Sequence, residues 1–316
     1  MRNPAGHHPT KTVRPADFDA FWTEIMARVQ QIPLNATLEP VPLRSTAQVE
    51  TFRIAYDSLD GVRIGGWYCV PRAAHIAPPY PGLLIVPGYI SEPTLPKSWA
   101  KLGYATVGVA PRGKLGSNQQ YNPGYPGLLV DNIVDRNTYA YRGFYVDATR
   151  AVDFLLGRPE VDQARIGVHG SSQGGALTIT TAALRADVIA CAAAGAPFLC
   201  GYLDAPRLSR SYPYEEIHEY LRCYPERESA VRDTLNYFDG INFAPRIRCP
   251  MLLNVGLQDD VCAPETGFAL YDALTCPKDM LSYPGCGHDA GSIWAAPRVQ
   301  AFLAEHLQPA SALVRA

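Results

Sequence analysis

The spacing of hydrophobic residues predicts a helix near the start of the chain and a β-hairpin after it. Between residues 15 and 30, large apolar side chains recur every three or four positions, which is the period of one face of an α-helix. The runs 49–56 and 62–70 then alternate apolar and polar residues on either side of an Asp60-Gly61 turn signal. This alternation is typical of two antiparallel strands joined by a short turn.

From residue 80 onward, the pattern changes to short, fully apolar runs separated by helix-forming segments. The predicted strands are 83–86, 105–109, 165–168, 189–193, 251–255 and 280–283, and the predicted helices are 147–156, 266–274 and 298–307. Strands without a polar face are typical of a parallel sheet that helices cover on both sides. We therefore expect an α/β fold built on a mainly parallel, twisted sheet.

Two segments stand outside this alternation. Residues 1–48 carry the first predicted helix and are interpreted as an N-terminal helical extension. Residues 198–245 are rich in tyrosine, proline and charged side chains, with a helical pattern over 214–222. We interpret them as a cap-like insertion, because so short a segment cannot own a large core. We expect residues 1–316 to form a single α/β domain.

The composition of the chain argues against several classes of function. With 316 residues, 47% hydrophobic content and a net charge of -2 without long lysine or arginine runs, the chain can build a sizeable core and is not expected to bind nucleic acid. No window approaches the ~18 apolar residues of a membrane span, and the start of the chain lacks a signal-peptide core, so we expect a soluble, cytoplasmic protein without a membrane partner. The eight cysteines are scattered without a C-x-x-C pair or a nearby histidine cluster, which predicts free thiols and indicates neither a zinc site nor a redox pair.

The segment 169–175 reads His-Gly-Ser-Ser-Gln-Gly-Gly and lies between an apolar run and a helix-forming run. Strand, sharp turn and helix form the context that makes a G-x-S-x-G sequence a nucleophile elbow, here with Ser172 at its tip. His169 directly precedes the elbow, and strand alternation predicts that its side chain points away from Ser172.

Two further side chains complete a candidate catalytic triad. The carboxyl ends of parallel strands meet at one edge of a sheet, and Asp259 and His288 each follow one of the last two predicted strands. A serine hydroxyl needs an imidazole to accept its proton and a carboxylate to orient that imidazole. We assign Ser172 as nucleophile, His288 as base and Asp259 as acid, with Asp260 as the alternative acid. The chain order Ser, Asp, His is that of α/β-hydrolases.

Other strand ends supply candidate supporting groups. The backbone N–H groups of Tyr89 and Gln173 are the expected oxyanion donors, because one lies in the loop after the first buried strand and the other directly follows the nucleophile. Arg112 follows the next strand, and it either anchors its loop through an ion pair or touches the substrate. Loops 92–96 and 121–126 are expected to line the entrance to the site.

Together with these residues, several short motifs resemble carbohydrate esterase family 7, the group of acetyl xylan esterases and cephalosporin C deacetylases among the α/β-hydrolases. The motifs are Phe18-Asp19-Ala20-Phe21-Trp22, Gly66-Trp67, Pro87-Gly88-Tyr89, Arg112-Gly113, Ser172-Gln173-Gly174-Gly175, Pro197-Phe198-Leu199-Cys200, the run from Tyr237 to Phe243, and Gly256-Leu257-Gln258-Asp259. The resemblance gives Ser172, Asp259, His288, Tyr89 and Gln173 the roles named above. It implies an enzyme that removes acetyl or other small acyl groups from sugar or antibiotic hydroxyls through an acyl-enzyme intermediate, without a metal or cofactor. It also implies a homohexamer.

Three positions depart from the pattern of that family. Lys114 stands where the family has Gln, Asp289 where it has Glu, and Pro87 where it has His. Lys114 is expected to add a positive charge near the site. Asp289 is expected to act as a supporting carboxylate that is one methylene shorter, and Arg112 to support the site beside it. These differences leave the preferred acyl group and alcohol open.

Two other functions are alternatives to an esterase. The same triad serves other acyl donors, so a peptidase or a thioesterase of this fold is the first. The second is a binding protein that has kept the fold and lost the chemistry, against which the complete set of candidate triad residues argues.

Overall fold

Nine strands form one sheet within residues 8–310, the part of the chain that the computed structural model describes. In chain order they are β1 (Thr37–Pro40), β2 (Val49–Asp57), β3 (Arg63–Pro71), β4 (Tyr80–Val86), β5 (Ala105–Ala110), β6 (Val161–Ser171), β7 (Ile189–Gly195), β8 (Met251–Gly256) and β9 (Lys278–Tyr283). Their order across the sheet is β1-β2-β3-β5-β4-β6-β7-β8-β9. β1, β2 and β3 pair antiparallel, β3 is antiparallel to β5, and the pairs from β5 across to β9 are parallel.

Helices cover both faces of this sheet. The α-helices of the described range are α1 (Phe18–Gln30), α2 (Lys97–Lys101), α3 (Ala140–Leu156), α4 (Gln173–Leu184), α5 (Ala205–Leu208), α6 (Glu215–Cys223), α7 (Glu228–Asn236), α8 (Gly240–Phe243), α9 (Pro264–Ala273) and α10 (Ser292–Leu307). α2 and α10 pack on one face, whereas α3, α4 and α9 pack on the other, and α1 joins the hydrophobic core of that second face. This arrangement confirms the predicted α/β-hydrolase class of fold. None of the helices between residues 8 and 310 has the length and apolar character needed to cross a membrane.

The structure extends several predicted elements and adds a strand and several short helices to them. The helix predicted over 147–156 is the second half of α3, and its first half has no helical pattern in the sequence because almost every side chain there is buried. β1 was not predicted, since four mostly exposed residues give no alternation. The segment 1–48, expected to be helical, therefore also contributes an edge strand. Residues 1–7 of that segment, and residues 311–316 at the other end, lie outside the described part of the chain.

The insertion, residues 198–245, lies between β7 and β8 and carries α5 to α8. Asp239 holds its base together. The carboxylate of Asp239 accepts hydrogen bonds from the N–H groups of Gly201, Tyr202 and Ile241 and from the hydroxyl of Thr12. Burial raises the pKa of this carboxyl, and the four donors oppose that rise. The insertion is thereby tied to the N-terminal segment.

An aromatic cluster joins α1 to the insertion. The ring of Trp22 lies 5.5 Å from that of Phe238 and 5.1 Å from that of Phe243, and it also packs on Tyr145 of α3. The indole N–H of Trp22 donates to the carbonyl of Tyr237 at 2.8 Å. All four rings of the cluster are fully buried, so α1 is part of the main hydrophobic core.

Candidate active site

Ser172 lies at the turn between β6 and α4, where the sequence predicted a nucleophile elbow. Its backbone has φ 61° and ψ -124°, and a positive φ is uncommon for residues other than glycine. Its N–H donates to the carbonyl of Gly195 on β7 at 2.9 Å, which helps to hold the turn. The ring of His169 packs on Trp99 of α2, on the face of the sheet opposite to α4. This histidine therefore points away from Ser172, as predicted.

Glycines next to Ser172 let the first turn of α4 come close to the neighbouring strands. A Cβ atom at Gly174 would lie 2.5 Å from the carbonyl oxygen of Val86 on β4. One at Gly175 would lie 2.7 Å from the carbonyl oxygen of Gly195 on β7. Any other side chain at these positions would push α4 away from the sheet. Gly174 and Gly175 are therefore required for the packing of α4 against the sheet.

Ser172, His288 and Asp259 form a chain of hydrogen-bonding groups. His288 Nε2 lies 2.9 Å from Ser172 Oγ. Its Nδ1 lies 3.1 and 3.0 Å from the two carboxylate oxygens of Asp259. At these distances an imidazole can accept the serine proton while the carboxylate holds its other nitrogen. The structure thus brings together the three residues that the sequence proposed as a triad.

Asp259, and not its neighbour Asp260, is the carboxylate that faces His288. Asp259 is buried, and it accepts the N–H groups of Val261 at 2.9 Å and Cys262 at 2.8 Å, which orient it. Asp260 is exposed, and its side chain has no hydrogen-bond partner among residues 8–310. The alternative acid assignment to Asp260 therefore has no geometric support.

Asp259, Cys262 and His288 place one ligand atom each within 4.8 Å of one another, which raises the question of a metal site. The carboxylate and the imidazole already hydrogen-bond each other. Burial raises the pKa of the Cys262 thiol well above its ordinary value, which keeps the thiol protonated. Metals bind the thiolate, so this donor set fits a catalytic triad better than a metal centre.

The two expected oxyanion donors are free to bind a ligand. The backbone N–H groups of Tyr89 and Gln173 donate to no protein atom in the described range. Gln173 is the first residue of α4, and the N–H groups of a first helical turn have no partner within the helix. The side chain of Gln173 donates to the carbonyl of Gly88 at 3.4 Å. That carbonyl belongs to the same planar peptide as the Tyr89 N–H, so this contact helps to set the direction of the donor.

Arg112 anchors its loop and does not line the cavity described below. Its Nε and Nη2 donate to the two carboxylate oxygens of Asp147 on α3 at 2.9 and 3.0 Å, and its backbone N–H donates to the same carboxylate at 2.9 Å. Both side chains are buried. Of the two roles considered for Arg112, the structure shows the ion pair. Sequence analysis did not identify Asp147.

Residues 87–96, between β4 and α2, carry Tyr89 and are called the oxyanion loop. Lys114 lies beneath this loop with its side chain fully buried. Its Nζ donates to the carbonyl of Tyr89 at 2.8 Å and lies 4.6 Å from the centre of the Tyr125 ring. Burial lowers the pKa of Lys114 to about 8, and Glu92 opposes this by attracting the charged form. The expected positive charge is therefore near the site, behind the loop and outside the cavity wall.

The expectation for Asp289 is wrong. Its side chain is exposed and makes no hydrogen bond or ion pair with any residue that the structure describes. Its backbone carbonyl accepts the N–H of Ser292 in the turn that leads into α10, and this turn directs the side chain to solvent. Asp289 therefore does not support the triad.

A cavity of about 810 Å³ opens above Ser172 and His288. Its walls include Glu92 and Tyr125, from the two loops that the sequence predicted at the entrance. They also include residues of the insertion that sequence analysis did not single out: Tyr212, Pro213 and Glu216. The available sequence signal for Glu216 was its charge within the predicted helix 214–222.

Glu216 connects the insertion to the oxyanion loop. One of its carboxylate oxygens accepts the hydroxyl of Tyr89 at 2.6 Å, and the other accepts the N–H of Gly127 at 2.9 Å. The Tyr89 hydroxyl in turn accepts the N–H of Leu129 at 3.1 Å. Burial raises the pKa of Glu216, and the donated hydrogen bonds oppose that rise. Tyr89 is thus held at its side chain as well as at its backbone.

Comparisons with known proteins find similarity to acetyl esterases and acetyl xylan esterases. The family model for acetyl xylan esterase (AXE1) matches residues 7–306. The acetyl esterase Axe7A of Xylanibacter ruminicola is 30% identical over 291 residues, which cover 86% of this chain. This chain spans 63% of the length of that relative.

Two solved structures are similar over nearly their whole length. An acetyl xylan esterase from Paenibacillus sp. R4 superposes with a TM-score of 0.88 at 35% identity, covering 95% of this chain and 98% of the other. Acetyl xylan esterase 1 from Thermoanaerobacterium sp. superposes with a TM-score of 0.85 at 27% identity, covering 94% and 96%.

Replacing Arg112 by Met is expected to lower the free energy of unfolding by about 3 to 5 kcal/mol, because Asp147 would stay buried without its partner. The double variant R112M/D147L should recover part of this loss, since it leaves no unpaired buried charge. Urea unfolding measures both. As a control, R232M breaks an exposed pair with Glu228 and should cost less than about 1 kcal/mol. Equal losses in R112M and R232M would contradict the anchoring role.

Proposed function

Because this chain belongs to the acetyl xylan esterase family, which indicates a carboxylic-ester hydrolase, we propose that it removes acetyl groups from sugar hydroxyls or related alcohols. The reaction passes through a covalent acyl-enzyme. The observation that carries this proposal is the hydrogen-bonded chain from Asp259 through His288 to Ser172 below an open cavity. Acetyl as the acyl group is supported by the relatives, which are acetyl esterases and acetyl xylan esterases by name.

In the first half of the reaction, Ser172 Oγ attacks the carbonyl carbon of the ester while His288 Nε2 takes its proton. Asp259, bonded to Nδ1, stabilises the imidazolium that forms. The negative oxygen of the tetrahedral intermediate accepts hydrogen bonds from the N–H groups of Tyr89 and Gln173. The C–O bond to the alcohol then breaks, and the alcohol leaves with the proton from His288.

In the second half, a water molecule attacks the acyl-enzyme. His288 takes a proton from this water, and the same two N–H groups bind the second negative oxygen. The bond to Ser172 Oγ breaks, the serine regains its proton from His288, and acetic acid is released, which then loses its proton to solvent. These steps balance with the chain's own residues and water.

The charges in the cavity favour a neutral substrate. Glu92 and Glu216 are among its wall residues, and the lining residues of the described range include no lysine or arginine. A substrate with its own carboxylate would meet repulsion there. This supports acetylated neutral sugars over antibiotic esters that carry a free carboxylate, the other substrates that the resemblance implies.

A peptidase or thioesterase is the alternative, because the same three groups can act on other acyl donors. A panel of acetyl, butyryl and octanoyl esters, an acetyl thioester and an aminoacyl amide separates these activities. The proposal predicts the highest kcat/KM for the acetyl ester. A preference for the amide or the thioester would overturn it.

Replacing Ser172 by Ala is expected to lower kcat for a chromogenic acetate ester by at least about 10³-fold, because no other group occupies the position of the nucleophile. The matched control is Ser229→Ala, at an exposed serine of α7, which should retain wild-type turnover. Near-normal activity in S172A would remove the nucleophile assignment.

Glu92→Gln tests the charge argument. Its carboxylate accepts the N–H of Leu115 at 2.7 Å, which a glutamine oxygen can also do, so the change removes mainly the charge. We expect the preference for an acetylated neutral glucoside over an acetylated glucuronic acid to narrow by about 3- to 10-fold at low salt, and by less at high salt. Glu226→Gln, at an exposed acid of the insertion, is the control. An unchanged preference in E92Q would contradict the argument.

The assembly and the location of the protein stay predictions. The resemblance implies a homohexamer, which size-exclusion chromatography with light scattering tests directly. We expect six times the mass of the chain, and the mass of a single chain would contradict the expectation. A cytoplasmic location is expected from the sequence.

A further inference from the structure

We propose that Lys114 is a positioning residue for ester hydrolysis, which fixes the loop that carries the Tyr89 oxyanion donor and puts a positive charge behind that donor. This inference rests on the proposed function, because it concerns the same reaction. Neither the family match nor the names of the relatives assign a role to Lys114.

Both peptide groups that flank the α-carbon of Tyr89 are held by side chains. The carbonyl of Gly88, in the peptide that includes the Tyr89 N–H, accepts from Gln173 Nε2 at 3.4 Å. The carbonyl of Tyr89, in the next peptide, accepts from Lys114 Nζ at 2.8 Å. The contact with Lys114 is the shorter of the two, and it involves a charged donor, which makes a stronger hydrogen bond. Lys114 therefore contributes strongly to the orientation of this donor.

Lys114 is itself held firmly. Its backbone N–H donates to the carbonyl of Pro111 at 3.1 Å, and its carbonyl accepts the N–H of Ser117 at 2.8 Å. Two residues earlier, Arg112 is pinned to Asp147 on α3. The long side chain is fully buried, so its Nζ has a defined position. A lysine fixed in this way can direct another group.

The surroundings of Nζ keep its charge available to the oxyanion loop. Tyr125 presents its ring to Nζ at 4.6 Å and packs edge-on against Tyr89 at 5.1 Å. Glu92 attracts the cation from the same loop as Tyr89. Glu216 approaches from α6 and bonds the Tyr89 hydroxyl. The guanidinium of Arg112 is occupied by Asp147.

A charge in this buried setting acts on the transition state. The negative oxygen of the intermediate would bind next to Tyr89, and a nearby cation interacts more strongly in a protein interior than in water. Because burial lowers the pKa of Lys114 to about 8, the side chain is charged at neutral pH and becomes neutral as the pH rises through that value. The neutral amine can still donate to the Tyr89 carbonyl, so the electrostatic part of its effect is lost first.

The test is the pH dependence of kcat and KM for a chromogenic acetate ester in the wild type, K114Q and K114M, between about pH 6 and pH 10. S172A gives the uncatalysed background. Lys101→Gln, at an exposed lysine of α2, makes the same chemical change away from the site and is the matched control. Circular dichroism and thermal unfolding show that each variant is folded.

We expect wild-type kcat to fall several-fold to a lower plateau as the pH rises through about 8. K101Q should keep this step, whereas K114Q and K114M should lack it. At neutral pH, K114M should lose about tenfold or more in kcat with little change in KM, and K114Q should lose less, because an amide can still donate a hydrogen bond. In E92Q the step should move to lower pH, since Glu92 favours the charged lysine.

The inference fails if the step at about pH 8 persists in both Lys114 variants, if the wild type has no such step, or if kcat at neutral pH stays within about twofold of the wild type in both variants. These results would leave the proposed function intact. Absence of acetate turnover by the wild-type protein would instead overturn the proposed function, and the role of Lys114 with it.

Discussion

The left-handed backbone of Ser172 is the constraint on which the rest of the site depends. It is held by the hydrogen bond to Gly195 and by the close packing of α4 against β4 and β7, which Gly174 and Gly175 permit. In this conformation the hydroxyl meets His288, and the next N–H, that of Gln173, lies at the open end of a helix. One residue in a strained backbone conformation thus positions both the nucleophile and one oxyanion donor. The packing of the surrounding sheet and helix compensates for the energy of that strain.

The second oxyanion donor depends on distant parts of the chain. Tyr89 is held by Gln173 of α4 through Gly88, by Lys114 after β5, and by Glu216 of the insertion. The loop that carries Lys114 is anchored on the core helix α3 through the ion pair between Arg112 and Asp147. The insertion is tied to the N-terminal segment through Asp239. Stability and function are coupled for this reason: contacts that belong to the core also decide where one backbone N–H points.

The sequence predicted what depends on local patterns and chain order. The apolar strands, the elbow around Ser172 and the positions of Asp259 and His288 after strands all have local signals, and the structure brings the three side chains together. The choice between Asp259 and Asp260 needed the turn geometry, because both follow the same strand. Contacts between remote segments, such as the bond between Tyr89 and Glu216, leave no periodic trace in a sequence. β1 was missed because it is short and exposed, and Asp289 was misplaced because its direction depends on a single turn.

The proposed reaction depends on the hydroxyl of Ser172, which is activated by His288 and attacks an acyl carbon. Reaction with a serine-directed organophosphonate, followed by mass spectrometry of the digested protein, tests this most directly. We predict one adduct per chain, on the peptide that contains Ser172, formed in step with the loss of acetate-ester hydrolysis. Full loss of activity with the adduct on another residue, or retained activity in fully labelled protein, would contradict the assignment of Ser172 as the nucleophile.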